Sequence, residues 1–235
     1  TAINGVAPNA TQSFTLAVNQ APAITSGNTT TFTVGAPGSF NVSTSGFPTG
    51  AAMVISESGA LPTGVTFTNN GNGTATLAGT PAAGSQGASP YALLLTAANG
   101  VAPNATQNFS LVVQCPLITL APPADTTTFP FGTALNRTFT ASGGNGAYTF
   151  ATTGTLPTGA TFAGGVLSGT PTDAGSFSFT VQATDAFGCQ SPVLSYTVNI
   201  DPGATADAYN ALGNVLVDSA AGAPAFSVTG NDNFP

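Results

Sequence analysis

The sequence predicts an all-β protein built of tandem antiparallel β-sandwiches. Apolar residues alternate with Thr, Ser and Asn at a period of two, as at Phe109, Leu111 and Val113. Gly, Pro and Asn interrupt these runs about every 8 to 12 residues, and one long stretch of sequence occurs twice. Strict alternation indicates strands with one buried face, and frequent turn residues leave little room for helices.

The repeated stretch defines two complete domains. Leu156–Phe162 reads Leu-Pro-Thr-Gly-Ala-Thr-Phe, and Leu61–Phe67 repeats it with Val in place of Ala. Each copy is followed by Gly-Thr-Pro and then by a strand-like run, which indicates a tight turn before a long strand. We therefore predict one β-sandwich over residues 22–114 and a second over residues 115–201.

Both ends of the sequence contain partial units. Thr1–Gln12 is identical to Thr96–Gln107 except at Ile3, so residues 1–21 are predicted to be the C-terminal strands of a partial repeat. Residues 202–235 begin with a Pro-Gly linker and then change in character. They are predicted to be the opening strands of a further, incomplete module.

Composition limits the class of partner. Charged residues make up 4% of the chain, the net charge is −7, and Arg137 is the only base, so there is no basic patch to bind nucleic acid. A hydrophobic fraction of 42% is enough to predict a folded chain. No apolar run approaches the roughly 20 residues that span a bilayer, so no membrane insertion is expected in this segment.

Catalysis is not expected either. The sequence has no His and its only Glu is Glu57, which leaves scattered Asp residues as the other carboxylates. Triads that depend on His, and imidazole metal sites, cannot be built from these residues. We predict that this segment is not an enzyme.

The ordered motifs of the second unit resemble a known family. Leu156–Phe162, Leu167–Phe177 (Leu-Ser-Gly-Thr-Pro-Thr-Asp-Ala-Gly-Ser-Phe) and Val181–Gly188 (Val-Gln-Ala-Thr-Asp-Ala-Phe-Gly) are similar to the bacterial putative-immunoglobulin repeats. The resemblance covers both complete units and the N-terminal segment. It implies tandem Ig-like, cadherin-like sandwiches of the kind strung along large secreted or surface proteins. The first unit departs from the pattern, with Ala97-Ala98 aligned against Thr184-Asp185.

The two cysteines suggest a disulfide bond. Cys115 lies where the second unit begins, and Cys189 lies in the loop before its final strand. In an exported chain such a bond is favoured, and closing a loop of this length constrains the unfolded state by roughly 4 kcal/mol. The alternative is two free thiols.

Calcium is the one cofactor that the resemblance suggests. Asp185 and Asp201 resemble positions at which cadherin repeats place carboxylate ligands, and Asp207 is nearby in sequence. Carboxylate oxygens suit Ca²⁺. The alternative is that these Asp residues are ordinary turn formers, since the rest of the acidic ligand set is missing.

These observations predict a structural, non-catalytic segment of an extracellular stalk, fibre or adhesin, secreted or held at the cell surface. Its expected partners are neighbouring repeats or copies of itself, with strand complementation between the two partial ends as a route to head-to-tail assembly. The alternative is an adhesive module that recognises a glycan or a protein on another surface.

Overall fold

β-Strands account for nearly all the regular structure in the computed structural model, which describes residues 1–16 and 18–202. Its described residues contain no α-helix and two short 3₁₀ turns, at Gly50–Ala52 and Ser85–Ala88. The prediction of an all-β fold is confirmed. Within this described part of the chain no helix is long and apolar enough to cross a membrane.

The first module comprises eight strands in two four-stranded sheets, ordered β1-β3-β6-β5 and β2-β8-β7-β4. The strands are β1 (Gln20–Ile24), β2 (Thr29–Thr33), β3 (Gly38–Phe47), β4 (Val54–Ser58), β5 (Val65–Asn69), β6 (Thr74–Gly79), β7 (Tyr91–Ala98) and β8 (Ala105–Gln114).

Alternation along each strand builds the core between these sheets. In β8 the side chains of Phe109, Leu111 and Val113 are buried, whereas their neighbours Asn108 and Ser110 are not. Successive side chains of a strand point to opposite faces, so one face is apolar and the other carries hydroxyls and amides. Burial of the apolar face is the main force that holds the two sheets together.

The second module comprises nine strands: a four-stranded sheet, β10-β17-β16-β13, opposite a three-stranded sheet, β11-β15-β14, and a two-stranded sheet, β12-β9. The strands are β9 (Ile118–Ala121), β10 (Thr126–Pro130), β11 (Leu135–Thr138), β12 (Thr140–Gly143), β13 (Thr149–Gly154), β14 (Ala160–Ala163), β15 (Val166–Gly169), β16 (Gly175–Thr184) and β17 (Leu194–Asp201).

Each module contains one parallel strand pair that the sequence did not indicate. β2 runs parallel to β8, and β10 runs parallel to β17. The pairing arises because the chain leaves the first sheet after β1 or β9 and crosses to the edge of the other sheet, beside the final strand. The second strand of each module therefore ends at the same pole as the last one.

An aromatic cluster surrounds the only basic side chain of the sequence in the second module. The guanidinium carbon of Arg137 lies 5.2 Å from the ring centroids of both Phe139 and Tyr196. Its nitrogens donate to Asp125 and, at 2.7 Å, to the Thr127 hydroxyl. Arg137 is 8% exposed, so the one cationic side chain serves the core and not the surface.

The N-terminal segment ahead of β1 is less regular. The sequence predicted strands over residues 1–21, but before Gln20 its described residues form only one isolated bridge, between Ala2 and Ala10. Phe14 and Leu16 are 83% and 72% exposed. The predicted incomplete module at 202–235 falls outside the described residues beyond Pro202.

Candidate functional site at the junction of the two modules

The two modules meet at a glycine turn, which we call the junction. Gly35 follows β2 with φ +74° and faces two residues of the second module. A Cβ atom placed on Gly35 would lie 2.5 Å from Cε2 of Phe187 and 2.6 Å from Nδ2 of Asn145. Only a residue without a side chain allows this approach, so glycine serves both the turn and the contact.

The turn lies at the point where the chain leaves the first module. The parallel pairing of β2 and β8 places Thr33 opposite Gln114, and the Val34 N–H donates to the Gln114 carbonyl at 3.0 Å. Cys115 follows directly. The linker to the second module therefore starts beside the surface on which that module packs.

The loop that carries Phe187 is organised by Asp185. One carboxylate oxygen accepts hydrogen bonds from the backbone N–H groups of Phe187 and Cys189, both at 2.9 Å. The other accepts from the N–H of Asn145 at 3.0 Å. Asp185 thus ties the β16–β17 loop to the β12–β13 loop, and both loops reach the Gly35 turn.

The protonation state of Asp185 follows from these contacts. Burial alone raises the pKa of this carboxyl, but the N–H groups of Cys189, Asn145 and Phe187, with the Asn145 side chain, outweigh it. The net result is a pKa below the ordinary value for Asp. The ionised form is the one that accepts all three bonds.

A disulfide crosses the same junction. The structure joins Cys115 of the linker to Cys189 of the β16–β17 loop, with 5.5 Å between their Cα atoms. Cys189 is fully buried and Cys115 is half-buried. The linker is therefore bonded to the loop whose Phe187 contacts the first module.

Hydrophobic packing is continuous through the junction. The buried cluster of the first module extends into the second through Ile118, Leu120, Ala183 and Cys189, and Phe187 packs against it. A separate cluster around Phe139 and Tyr196 forms the far half of the second module. The junction is therefore a packed interface and not an open hinge.

Comparison with known proteins agrees with this architecture. Residues 117–201 match the family described as Putative Ig domain. The matched residues coincide with the second module, which is similar to this family and has the Ig-like fold. No curated protein matches the chain.

Solved structures with a similar course are tandem Ig domains and parts of larger enzymes. The titin domains Z1Z2 in complex with telethonin share 19% identity with a TM-score of 0.45, over 80% of this chain and 100% of that one. The N-terminal Ig1-2 module of the Drosophila receptor protein tyrosine phosphatase DLAR shares 15% with a TM-score of 0.30, over 78% and 95%. An endo-fucoidan hydrolase from glycoside hydrolase family 107 shares 18% with a TM-score of 0.34, over 81% and 30%. None of these likenesses indicates a ligand or an activity.

The three candidate calcium ligands, Asp185, Asp201 and Asp207, are not shown together by the described residues. Asp185 is occupied by backbone N–H donors, and Asp201 ends β17, where its carbonyl accepts from the Phe131 N–H at 2.8 Å. Asp207 lies outside the described residues. Within residues 1–16 and 18–202, no three His, Cys, Asp or Glu side chains gather as a metal site. Calcium binding stays a prediction.

The first module has its own counterpart of Asp185, and the sequence alignment missed it. Strand β7 ends at Ala98 and β16 ends at Thr184, so the residue that follows each strand is Asn99 or Asp185. Aligning Ala98 with Asp185 was wrong by one residue. Asn99 is 4% exposed, and its amide donates to the Gln20 carbonyl at 2.9 Å.

The same local turn occurs in all three copies. The side-chain oxygen of Asn4, Asn99 or Asp185 accepts from the N–H two residues later, at 3.1, 3.2 and 2.9 Å. The residues that these turns present are Val6, Val101 and Phe187. A recurring Asn or Asp followed two positions later by an apolar residue was the sequence signal for this element. We call this loop the tip loop: it joins the last two strands of each module, and in the N-terminal copy it lies between the bridged residues Ala2 and Ala10.

The carboxylates of the second module serve structural contacts. Asp125 pairs with Arg137, and Asp173 accepts from the N–H and the hydroxyl of Thr158 at 2.8 and 3.0 Å. Asp185 orders the tip loop. Asp125, Asp173 and Asp185 thus each hold strands or loops of the second module in place.

Proposed function

We propose that this chain is a structural, non-catalytic segment of an extracellular stalk, fibre or adhesin. The observation that carries the proposal is the junction, in which Phe187 packs against Gly35 while a disulfide bonds the linker to the same loop. Domains joined by an ordinary linker move relative to each other unless their interface is substantial. A packed and covalently fixed junction instead holds two sandwiches at one angle.

The location and the partners follow from the same features. A disulfide favours an oxidising compartment, which supports an extracellular or cell-surface position. Arg137, the only base, is buried, so the exterior offers no cationic side chain to nucleic acid. Neighbouring repeats remain the natural partners, because units of a string contact chiefly the units beside them.

Small-angle X-ray scattering on the complete oxidised chain tests the stalk function. If the chain is a stiff spacer, its pair-distance distribution should be that of one fixed two-module body. This distribution should not change with temperature or salt concentration. Scattering that requires an ensemble of widely different inter-module angles would contradict the proposal.

Head-to-tail assembly by strand complementation is part of this proposal. Phe14 and Leu16 are 83% and 72% exposed, yet the corresponding residues of β8, Phe109 and Leu111, are 3% and 0% exposed. The N-terminal segment therefore carries an apolar face that the first module shows to be a core face. Addition of this segment as a strand to another sheet would bury that face.

An adhesive role is the second candidate, and one surface favours it. On the β10-β17-β16-β13 sheet the hydroxyls of Thr153 and Thr180 lie 2.7 Å apart, and those of Ser178 and Thr197 lie 3.2 Å apart. Such uncharged hydroxyl rows suit a neutral glycan. A glycan array probed with the complete chain separates the candidates, because a pure spacer binds no sugar and a Thr180→Val variant would lose adhesive binding.

Calcium as a ligand is tested in the same preparation. Excess EDTA should leave the melting temperature unchanged if Asp185 is only a turn former. A drop in melting temperature that added Ca²⁺ reverses would establish the metal site.

A further inference from the structure

We propose that the Phe131–Gly132 turn of the second module is a socket for the N-terminal hairpin of a second copy of this chain, which inserts Val6. The hairpin, residues 2–10, is the N-terminal tip loop with its flanking pair. The inference rests on the proposed stalk function and deepens it, because it names the contact through which copies join.

The socket repeats the junction turn in sequence and in backbone. Thr29–Gly35 reads Thr-Thr-Thr-Phe-Thr-Val-Gly, and Thr126–Gly132 reads Thr-Thr-Thr-Phe-Pro-Phe-Gly. The two glycines have φ of +74° and +71°. The residue before each glycine donates its N–H to the end of the neighbouring last strand, at 3.0 and 2.8 Å. The two turns are therefore the same element at the same pole of successive modules.

The two turns differ in what covers them. Gly35 is in contact with Phe187, whereas a Cβ placed on Gly132 would meet no described atom within 4 Å. Val34, before the covered glycine, is 1% exposed, but Phe131 is 46% exposed. Among residues 1–16 and 18–202, one half of a contact that is complete at the first module thus has no counterpart at the second.

The matching half is preformed at the N-terminus. The backbones of Ala2 and Ala10 exchange hydrogen bonds of 2.9 and 3.2 Å, and the corresponding residues Ala97 and Ala105 are opposed in the first module's sheet register. Asn4 closes the turn, and Val6 at its tip is 70% exposed. The hairpin therefore keeps the tip-loop conformation with its apolar residue uncovered.

Asp201 is a carboxylate beside the socket, because its carbonyl accepts from the Phe131 N–H, but the hairpin carries no charge for it to repel. Residues 2–10 contain no charged side chain, and neither do Phe131 and Gly132. The contact is small, so association between separate copies is expected in the range of about 0.1–1 mM. At the junction within the chain, the covalent linker makes the same kind of contact effectively intramolecular.

Sedimentation equilibrium of the complete chain, up to about 1 mM, measures the association. The wild type should form head-to-tail oligomers whose average mass rises with concentration. Val6→Asp and Phe131→Asp should each weaken association at least about tenfold, because either places a carboxylate in an apolar contact. Both residues are exposed, and thermal unfolding verifies that each variant is folded.

Mixing the two variants gives the sharpest test. Val6→Asp keeps an intact socket and Phe131→Asp keeps an intact hairpin, so an equimolar mixture should form one-to-one dimers and stop there. Wild-type chains that stay monomeric up to about 1 mM overturn the proposal. A mixture that gives no dimer does so as well.

Leu16→Asp separates this contact from strand complementation. If Leu16→Asp abolishes association while Val6→Asp and Phe131→Asp leave it intact, the strand alone joins the copies and the socket is refuted. Small-angle X-ray scattering of the monomer measures the angle between the modules, and this angle does not depend on whether copies associate. A fixed inter-module angle without any association would refute the socket and leave the stalk function standing.

Discussion

At the scale of the residue, polar side chains in this protein act chiefly by arranging backbone. Asn99 and Asp185 occupy the same position after the penultimate strand of their modules, and both are nearly buried. Each closes its tip loop through the N–H two residues later. A buried donor without an acceptor is costly, so these two side chains determine whether the tip loops keep their shape.

Replacement of Asp185 tests that role. Asp185→Ala leaves three backbone N–H groups without an acceptor and should cost on the order of 3 kcal/mol of unfolding free energy. Asp185→Asn retains one oxygen acceptor, as Asn99 does, and should cost clearly less. Urea denaturation measures both values, and equal losses in the two variants would show that the carboxylate is not the organising acceptor.

The pH dependence of stability has a definite sign at the same residue. The folded-state pKa of Asp185 lies below its ordinary value. Its contribution is therefore fully present above the unfolded-state pKa of about 3.9 and is lost as pH falls through the lower folded-state value. Unfolding free energies of the wild type and Asp185→Asn, measured from about pH 6 to pH 2, should converge at the acid end. Parallel curves would contradict this assignment.

At the scale of the element, the contribution of a turn to stability depends on what packs against it. The turns at Gly35 and Gly132 are alike in sequence and in φ, but only the first is packed against a following module within the described residues. They form a matched pair in one molecule. Any difference between substitutions at the two positions reports on the contact and not on the backbone.

Alanine substitution uses this pair. Gly132→Ala should cost roughly 1–2 kcal/mol, because an L-residue is strained at positive φ. Gly35→Ala carries the same strain and also displaces Phe187 and Asn145, so it should lower the unfolding free energy by about 1 kcal/mol more than Gly132→Ala. It should also widen the range of inter-module angles that fits the scattering data. Equal costs and equal scattering for the two variants would show that the junction is not closely packed.

The sequence was informative about elements that repeat and uninformative about contacts between them. Period-two alternation predicted strands such as β8, and its inward residues are the ones that the structure buries. The contact between Gly35 and Phe187 joins positions far apart in the chain, and no periodicity reports on such a pair. The parallel pairing of β2 with β8 was likewise invisible, because alternation describes a strand and not the direction of its neighbour.

At the scale of the whole molecule, the described residues from Thr1 to Pro202 form one compact unit in which two sandwiches share an apolar cluster. The Cys115–Cys189 bond spans 74 residues, and the loop that it closes contains strands β9 to β16 of the second module and none of the first. Its constraint on the unfolded chain therefore acts on that module, while its position in the linker acts on the junction. One bond thus contributes to the stability of a module and to the angle between two modules.

Reduction tests the first of these contributions. Breaking the bond should lower the stability of the second module by roughly 4 kcal/mol and leave the first module nearly unchanged. Hydrogen exchange resolved by peptide should show faster exchange in β16 and β17 and constant protection in β7 and β8. The double variant Cys115→Ala/Cys189→Ala serves as the control and should match the reduced wild type. Equal loss of protection in both modules would contradict this localisation.

The burial of Arg137 gives the protein an internal reporter of its own unfolding. Trypsin cuts only after Lys or Arg, and the one such bond, between Arg137 and Thr138, lies within β11 among aromatic rings. The native chain should therefore resist the protease for as long as the second module stays closed. Each cleavage should yield the same two fragments, which the Cys115–Cys189 bond holds together until the sample is reduced. One fragment band on a reducing gel therefore reports opening of the second module without any label.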